Sequence, residues 1–472
     1  MIGQRLNLKN HRAKIDGFGG IEVSKKVISL IVAVITVFSA GFLYCFADSN
    51  YKGAPETVSE AYVVMDAATG QVLIEKNMHS KKYPASITKI MTTLLALENV
   101  SLDDKVTISK SVYTIPKNSS HVALIAGEIL TVEQLVYATM LPSANDAAIG
   151  LAEHIGGSIS EFAEMMNEKA KELGALDTHF TNPHGLPDEN HYTTPYDMAV
   201  ITRYALGVEG FREVFGTSSY TCSPTNLQSE KRYFHTEVLM LNKSSDYYYA
   251  NTVGGKFGWT EDSKYTAVTV AQKDGMELIC VIMKTNQRYD RMKEMKKLFE
   301  YCFDNFNKAS ISFDGDDVAV QVYDGSEPIG QNYVNVNVTT SCILHKSLSE
   351  DNISAKLEIP EVAYTTEEFL PRMSISLDGG GYMYGGELGE VMLDYSFEMS
   401  DKILETDVFV IELKPTVSVE KDKSKINYIL IIAGIVLAIF AVIILCIRSY
   451  NIRKYRTIRR RKLAEKYRKM QE

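Results

Sequence analysis

Cysteine is scarce in this chain, six residues in 472. Cys45 and Cys446 fall in long apolar runs, and Cys222, Cys280, Cys302 and Cys342 are scattered. That spacing excludes both a disulfide-dense scaffold and a zinc-type ligand set, so the thiols are expected to be structural. Paired-histidine metal motifs and glycine-rich phosphate loops are missing as well. His121, His191 and His235 show no paired spacing, and no cofactor or metal is expected. Tryptophan occurs once, at Trp259. There is no internal repeat, and between the termini no basic patch that would suit a nucleic acid.

Positive charge is absent where it would balance the middle of the chain and concentrated at its ends. Residues 448–472 hold eleven Lys/Arg against two Glu, a net +9, and residues 1–26 hold six against two acids, a net +4. The whole chain carries −9, so the residues between carry −22. Two apolar runs separate these regions: Val27–Phe46 after Lys25-Lys26, and Tyr428–Ile447 before Arg448. Each has roughly the 20 residues needed to cross a bilayer core. By the positive-inside rule both basic flanks stay cytoplasmic and the acidic middle lies outside. The expected location is therefore the cell membrane, with an extracytoplasmic functional domain, the lipid bilayer as a partner, and a cytoplasmic basic tail. The first run is either a cleaved signal peptide or a retained signal anchor.

Chemistry enters at Ser86-Ile87-Thr88-Lys89. Apolar positions Ile90, Met91, Leu94, Leu95 and Leu97 follow with a helical period, which places Ser86 at or near a helix N-terminus. Residues three apart share a helix face, so the Lys89 amine can approach the Ser86 hydroxyl. A serine is a weak nucleophile until a base takes its proton. Lysine serves as that base when burial or a positive neighbour lowers its pKa. A second Ser-x-x-Lys at Ser418–Lys421 lacks an apolar helix behind it. The informative feature is order: Ser143-Ala144-Asn145 and then Gly255-Lys256-Phe257-Gly258-Trp259-Thr260 lie downstream. Another Ser-x-Asn, Ser449–Asn451, lies beyond the second apolar run.

Serine-x-x-lysine, serine-x-asparagine and lysine-x-glycine in this order are the three elements of penicillin-binding proteins and serine β-lactamases. The chain resembles the low-molecular-weight penicillin-binding proteins, the D-alanyl-D-alanine carboxypeptidases, from about Ala61 to Asn307. Tyr62–Leu73 is similar to that family's opening hairpin, Pro84–Thr92 to its nucleophile segment, and Thr181-Asn182-Pro183-His184-Gly185-Leu186 to a further signature. The resemblance implies peptidoglycan stem peptides as substrate and β-lactams as covalent inhibitors. It implies that Ser86 attacks the penultimate D-alanine carbonyl while Lys89 accepts the proton. Ser143 relays a proton to the leaving amine. Asn145, Lys256, Gly258, Trp259 and Thr260 hold the substrate, and the Ser86 and Trp259 backbone N–H groups form an oxyanion hole. One departure stands out: the family has threonine where this chain has Phe257, which cannot donate a hydrogen bond to a substrate carboxylate. It motivates a weakened or binding-only wall-peptide protein as the alternative; a DD-endopeptidase, which would use the same residues, and a β-lactamase are less favoured ones.

The expected fold class is α+β: an antiparallel sheet with helices in a DD-peptidase/β-lactamase-like catalytic domain, followed by a small all-β domain and a transmembrane helix. Expected boundaries are 1–47 for the cytoplasmic segment and signal or anchor, 48–60 for a loose spacer, and 61–307 for the catalytic domain. The β-rich domain follows at 308–414, then a linker at 415–427, the transmembrane helix at 428–447 and the basic tail at 448–472. Strands are expected at Ala61–Asp66, Gln71–Lys76, Lys256–Trp259, Lys264–Lys273 and Met276–Lys284. Helices are expected from Ser86, from Val132, over Asn145–Ile155 and Ile159–Leu173, and over Asp290–Phe306. Later strands are expected at Val318–Val322, Tyr333–Thr339, Ser354–Ile359, Met373–Leu377, Glu390–Glu398 and Val408–Leu413.

Overall fold

The computed structural model describes residues 51–400, 413 and 415–419. Both apolar runs and the basic tail lie outside them, as does most of the strand expected over 408–413. Among the described residues no helix is long and apolar enough to cross a membrane.

Nine strands belong to the first part of the chain: β1 Ala61–Asp66, β2 Val72–Lys76, β3 Lys105–Thr107, β4 Ile129–Thr131, β5 Ser219–Cys222, β6 Arg232–His235, β7 Thr252–Thr260, β8 Lys264–Lys273 and β9 Met276–Thr285. Five of them form one antiparallel sheet in the order β2-β1-β9-β8-β7. The first strands thus close against the last, as in an α+β domain. Alternation explains why β9 is apolar along its whole length. Ile279, Val281 and Met283 join the core beneath the helices of residues 89–205, while Leu278, Cys280 and Ile282 face the helix Asp290–Asn305. Side chains on a strand point alternately to the two faces, so a sheet covered on both sides needs apolar residues at every position. The β8–β9 hairpin turns at Asp274 and Gly275, both with positive φ (51° and 80°), the geometry of a two-residue type I′ turn.

The helix Lys89–Asn99 is buried at every position from Lys89 to Ala96, so it runs through the core rather than over it. Around it pack Val132–Met140, Asn145–Gly156 and Ile159–Glu172. The helix Pro195–Ala205 was missing from the sequence reading. Its start signals are present, however: Thr194 caps the Asp197 N–H, and Pro195 sits in the first turn.

The second part is all-β, as expected, but its boundaries differ. The helix Asp290–Asn305 passes directly into the strand Phe306–Phe313, without a linker. The run expected over Tyr333–Thr339 is the end of one strand, Glu327–Val334, and the start of the next, Val338–His345. Glu390–Glu398 is likewise divided, into Gly386–Met392 and Tyr395–Met399. Pro415–Val419, expected as linker, is a strand paired with Ala309–Phe313.

Residues 51–60 correct the expectation of a loose spacer. The Val58 and Ser59 N–H groups both donate to Glu294. The Lys52 N–H donates to Gly381 O at 2.8 Å, and the Tyr301 hydroxyl donates to Lys52 O at 3.1 Å. A polar composition concealed this because the partners are distant in sequence. The β module also covers the exposed edge of β2. Gln71 Nε2 donates to Ile343 O, its Oε1 accepts the Ile343 N–H, both at 2.8 Å, and the Tyr384 N–H reaches Leu73 O at 2.7 Å. Covering an edge strand removes a site for unwanted pairing.

Gln71→Ala removes both bonds to Ile343. It should lower stability by about 1–3 kcal/mol and speed amide exchange in Val338–His345 more than in β8 or β9. Uniform exchange across all three strands would contradict this role for Gln71.

Candidate active site

Ser86 lies in a single 3₁₀ turn, Ala85–Thr88, and the α-helix begins at Lys89 rather than at Ser86. The turn is held in an uncommon conformation: Ala85 has φ +52°. Non-glycine residues with positive φ cost of order 1–3 kcal/mol and persist only where their surroundings enforce them. Here the enforcement is visible. Gly185, at φ +83°, lies so close that a Cβ on it would stand 1.9 Å from Ala85 O. From the other side the Thr266 hydroxyl donates to Pro84 O at 2.7 Å. A Cβ on Gly258 would stand 2.8 Å from the Ser86 amide nitrogen. Strand β7 therefore passes directly beside the Ser86 turn, and only glycine fits at that point.

Lys89 is wholly buried. Its Nζ lies 2.7 Å from Asn145 Oδ1, 2.7 Å from the His184 carbonyl oxygen and 3.0 Å from Ser86 Oγ. Burial drives its pKa well below the ordinary lysine value, and the Lys256 charge pushes it the same way; Glu237 and Asp146 partly oppose the shift. A neutral amine has two N–H bonds and one lone pair. The two acceptor-only oxygens, Asn145 Oδ1 and His184 O, take the N–H bonds and leave the lone pair for the Ser86 hydroxyl. This arrangement lets the amine take a proton from Ser86.

Lys256 is also buried, with Nζ 3.1 Å from Phe257 O and 4.0 Å from Glu237 Oε2. Burial lowers its pKa to about 8; Glu237 raises it, and Arg291 adds to the depression. Ser143, at φ +62°, is buried, and its hydroxyl has no hydrogen-bond partner among the described residues. An unpaired buried hydroxyl costs about 1–3 kcal/mol; a group arriving at the cleft can supply the missing partner.

The structure thus brings Ser86, Lys89 and Asn145 into contact and sets Lys256 close enough for its charge to act on Lys89. The other expected site residues divide. Gly258 abuts the Ser86 amide. Trp259 is 53 % exposed, with its ring beside Tyr265. The Thr260 hydroxyl is committed to the β7–β8 turn, donating to Ser263 Oγ at 2.8 Å and accepting the Ser263 N–H, so it does not stand in for the missing threonine. Phe257 points away from Lys256. Its ring is 1 % exposed and lies 4.2 Å beneath the Arg291 guanidinium, which donates to Gly258 O and Thr266 O.

Three contributors escaped the sequence reading. His184 acts through its backbone carbonyl, which no side-chain pattern reveals. His191 Nδ1 accepts the Thr181 N–H, so Nε2 carries the proton toward the Thr88 hydroxyl at 2.9 Å. Burial holds its pKa down to about 4 and keeps the ring neutral. Glu237, between β6 and the turn Leu239–Leu241, stands beside Lys256 although nothing near it in sequence suggests chemistry.

The family model described as D-alanyl-D-alanine carboxypeptidase matches residues 48–287. The chain is similar to D-alanyl-D-alanine carboxypeptidase DacF of Bacillus subtilis, at 34 % identity over 269 residues, 55 % of this chain and 67 % of that protein. It is also similar to DacA of Haemophilus influenzae, at 32 % identity over 284 residues, 58 % of this chain and 69 % of that one. Among solved structures it resembles penicillin-binding protein 5 of Haemophilus influenzae, with a TM-score of 0.57 and 26 % identity over 74 % of this chain and 99 % of the other. The D-alanyl-D-alanine carboxypeptidase of Mycobacterium tuberculosis matches at TM-score 0.50 and 26 % identity, over 54 % of this chain and 96 % of that one.

Gly258→Ala should force β7 and the Ser86 turn apart and slow acylation of Ser86 by a fluorescent penicillin about 100-fold, the scale of an ångström-sized misplacement. An unchanged rate would refute the close approach. A second expectation concerns pH. Lys256 titrates near 8 when folded and near 10.5 as a free side chain, so between those values the unfolded chain binds more protons and stability rises with pH. Lys256→Met should therefore be the more stable protein at pH 7, by on the order of 1–3 kcal/mol, and its advantage should shrink as pH climbs from about 8 to 10.5. Denaturant unfolding of both proteins across that range checks the sign.

Proposed function

The chain belongs to the D-alanyl-D-alanine carboxypeptidase family, a serine-type peptidase, and from that premise we propose that Ser86 is its acyl-ester nucleophile and Lys89 the proton acceptor. The observation that carries this reading is the fully buried Lys89 amine, 3.0 Å from Ser86 Oγ, with acceptor-only oxygens at its other two contacts and a pKa driven down by burial and by Lys256. The hydroxyl attacks the carbonyl between the last two D-alanines of a peptidoglycan stem peptide, and its proton passes to Lys89. The Ser86 backbone N–H is positioned at the developing oxyanion, with the Trp259 N–H as its partner; one such donor is typically worth about 2.7–4 kcal/mol of barrier.

Collapse of the tetrahedral intermediate expels D-alanine. Its departing nitrogen needs a proton, and Ser143, whose hydroxyl is otherwise unpaired, relays it. Water then hydrolyses the acyl-enzyme with Lys89 again as base. Lys256 supplies positive charge for the substrate's terminal carboxylate, and its proximity pushes the Lys89 pKa down. β-Lactams acylate the same hydroxyl. The catalytic domain works outside the cell membrane, held there by the apolar runs at 27–46 and 428–447 with their basic flanks; the charge distribution of the sequence supports this.

A binding-only site has Phe257 in its favour, but that ring packs under Arg291 and leaves Ser86, Lys89 and Asn145 in contact.

The decisive assay is D-alanine release from a synthetic stem pentapeptide by the full-length protein. Ser86→Ala should reduce it by at least about 1,000-fold and abolish the covalent band formed with labelled penicillin. Turnover that survives Ser86→Ala would end the proposal.

A further inference from the structure

Glu237 reaches the cleft from outside the three motifs. The strand just before it, β6, is anchored by a bidentate pair, Arg232 Nη1 and Nη2 to Glu128 Oε1 and Oε2 at 2.7 and 3.0 Å, with Glu128 fully buried. The Glu237 N–H donates to Leu141 O at 3.3 Å, just before the Ser143–Asn145 segment. Its carboxylate is then held 4.0 Å from Lys256 Nζ, with the glutamate side chain 43 % exposed and the lysine 1 %. Among the described residues Glu237 is the only ion-pair partner of Lys256. An anion approaching Lys256 from solvent therefore meets a like charge at the ammonium it seeks.

We propose that Glu237 is a specificity-determining residue: it occupies the anion position of Lys256 and reduces the advantage of substrates with a free C-terminal carboxylate over those with a neutral C-terminus. The inference deepens the reading of Ser86 and Lys256 given above and rests on it. Phe257 supports it independently, because its side chain offers no hydroxyl to a carboxylate and lies on the Arg291 face. With both features, charge recognition of the terminal carboxylate depends on displacing Glu237. A substrate whose terminal carboxylate is amidated has no anion to place on Lys256, so Glu237 does not oppose it.

Glu237 also acts on the base. The groups facing Lys89 are Ser86 from its own turn, Asn145 and Asp146 from the helix Asn145–Gly156, His184 and the more distant His191 from the loop before the helix Pro195–Ala205, Lys256 from β7 and Glu237. Glu237 and Asp146 favour the protonated amine, whereas Lys256 opposes it. Removing the Glu237 charge therefore favours the neutral amine and moves the acid limb of kcat/KM to lower pH.

The experiment compares full-length wild type, Glu237→Gln and Glu237→Asp on two probes, an N-acylated Lys-D-Ala-D-Ala peptide and its C-terminal carboxamide. Glu237→Gln should lower KM for the carboxylate peptide about three- to fivefold, the scale of a half-exposed ion pair, and leave KM for the carboxamide in place. Its acid limb should move to lower pH, and Glu237→Asp should restore both wild-type properties. Equal changes on the two peptides, or no change in either KM or the acid limb, overturn the role. Penicillin labelling run in parallel separates the two levels. Wild type that forms no Ser86-dependent covalent band defeats the reading of the site, and this inference with it. Wild type that labels fully, beside an indifferent Glu237→Gln, defeats this inference alone.

Discussion

Two buried lysine side chains lie close together, and much of the local geometry answers to that fact. An ammonium taken out of water is costly, and two close together repel. The site meets this cost by lowering both pKa values, Lys89 far below its ordinary value and Lys256 to about 8. What remains is an amine with a strongly lowered pKa beside a second buried lysine. Positive-φ residues at Ala85 and Ser143, and the close approaches at Gly185 and Gly258, hold this arrangement in place. The active site therefore stores strain and desolvation that the large two-sided core offsets. A site of this kind needs a scaffold with little freedom to relax. A sheet covered on both faces, with the helix Lys89–Asn99 buried beneath it, provides one.

What the sequence made legible was whatever is periodic or local. Strand β8 was read to the residue, since Lys264–Lys273 is bounded by a turn whose Asp274-Gly275 chemistry is unmistakable. The helix Asn145–Gly156 was read nearly as well. The contact of Ser86 with Lys89 follows from spacing, and that of Lys89 with Asn145 from family order. Long-range complementarity was not legible. The Gly258 approach to Ser86 N, the His184 carbonyl on Lys89 and the placement of Glu237 against Lys256 join segments that no local pattern links. In the β module, the runs at 333–339 and 390–398 blurred because apolar alternation continues through the turns, so pattern alone could not find the breaks. Residues 51–60 failed in the opposite way: their polarity suggested solvent, whereas Glu294 and Tyr301 hold their backbone.

Those ten residues and the β module share a task. Strand β2 ends the sheet order, so one of its edges has no neighbouring strand among the described residues. The module covers that edge through Gln71, Leu73 and Tyr384, and the strap at 51–60 ties the helix Asp290–Asn305 to the module's loop at Gly380-Gly381. The core is continuous from Leu278 through Phe299 and Phe306 to Met373. Separation into a catalytic domain and an appended module is thus a division of topology more than of packing.

The helix Asp290–Asn305 connects this packing to the chemistry. Arg291, in its first turn, donates to Gly258 O and Thr266 O and covers the Phe257 ring. Gly258 and Thr266 are the two β residues that press on the Ser86 segment. The guanidinium therefore braces from behind the part of β7 and β8 that positions Ser86. A threonine at position 257 would present a small polar group to that cation, whereas phenylalanine presents a flat apolar face over which a guanidinium stacks well. The departure from the family motif then has a physical meaning besides loss of a hydrogen bond. It exchanges a donor for a ring on which Arg291 stacks, and on the reading proposed above it leaves recognition of the substrate's terminus to the balance between Lys256 and Glu237.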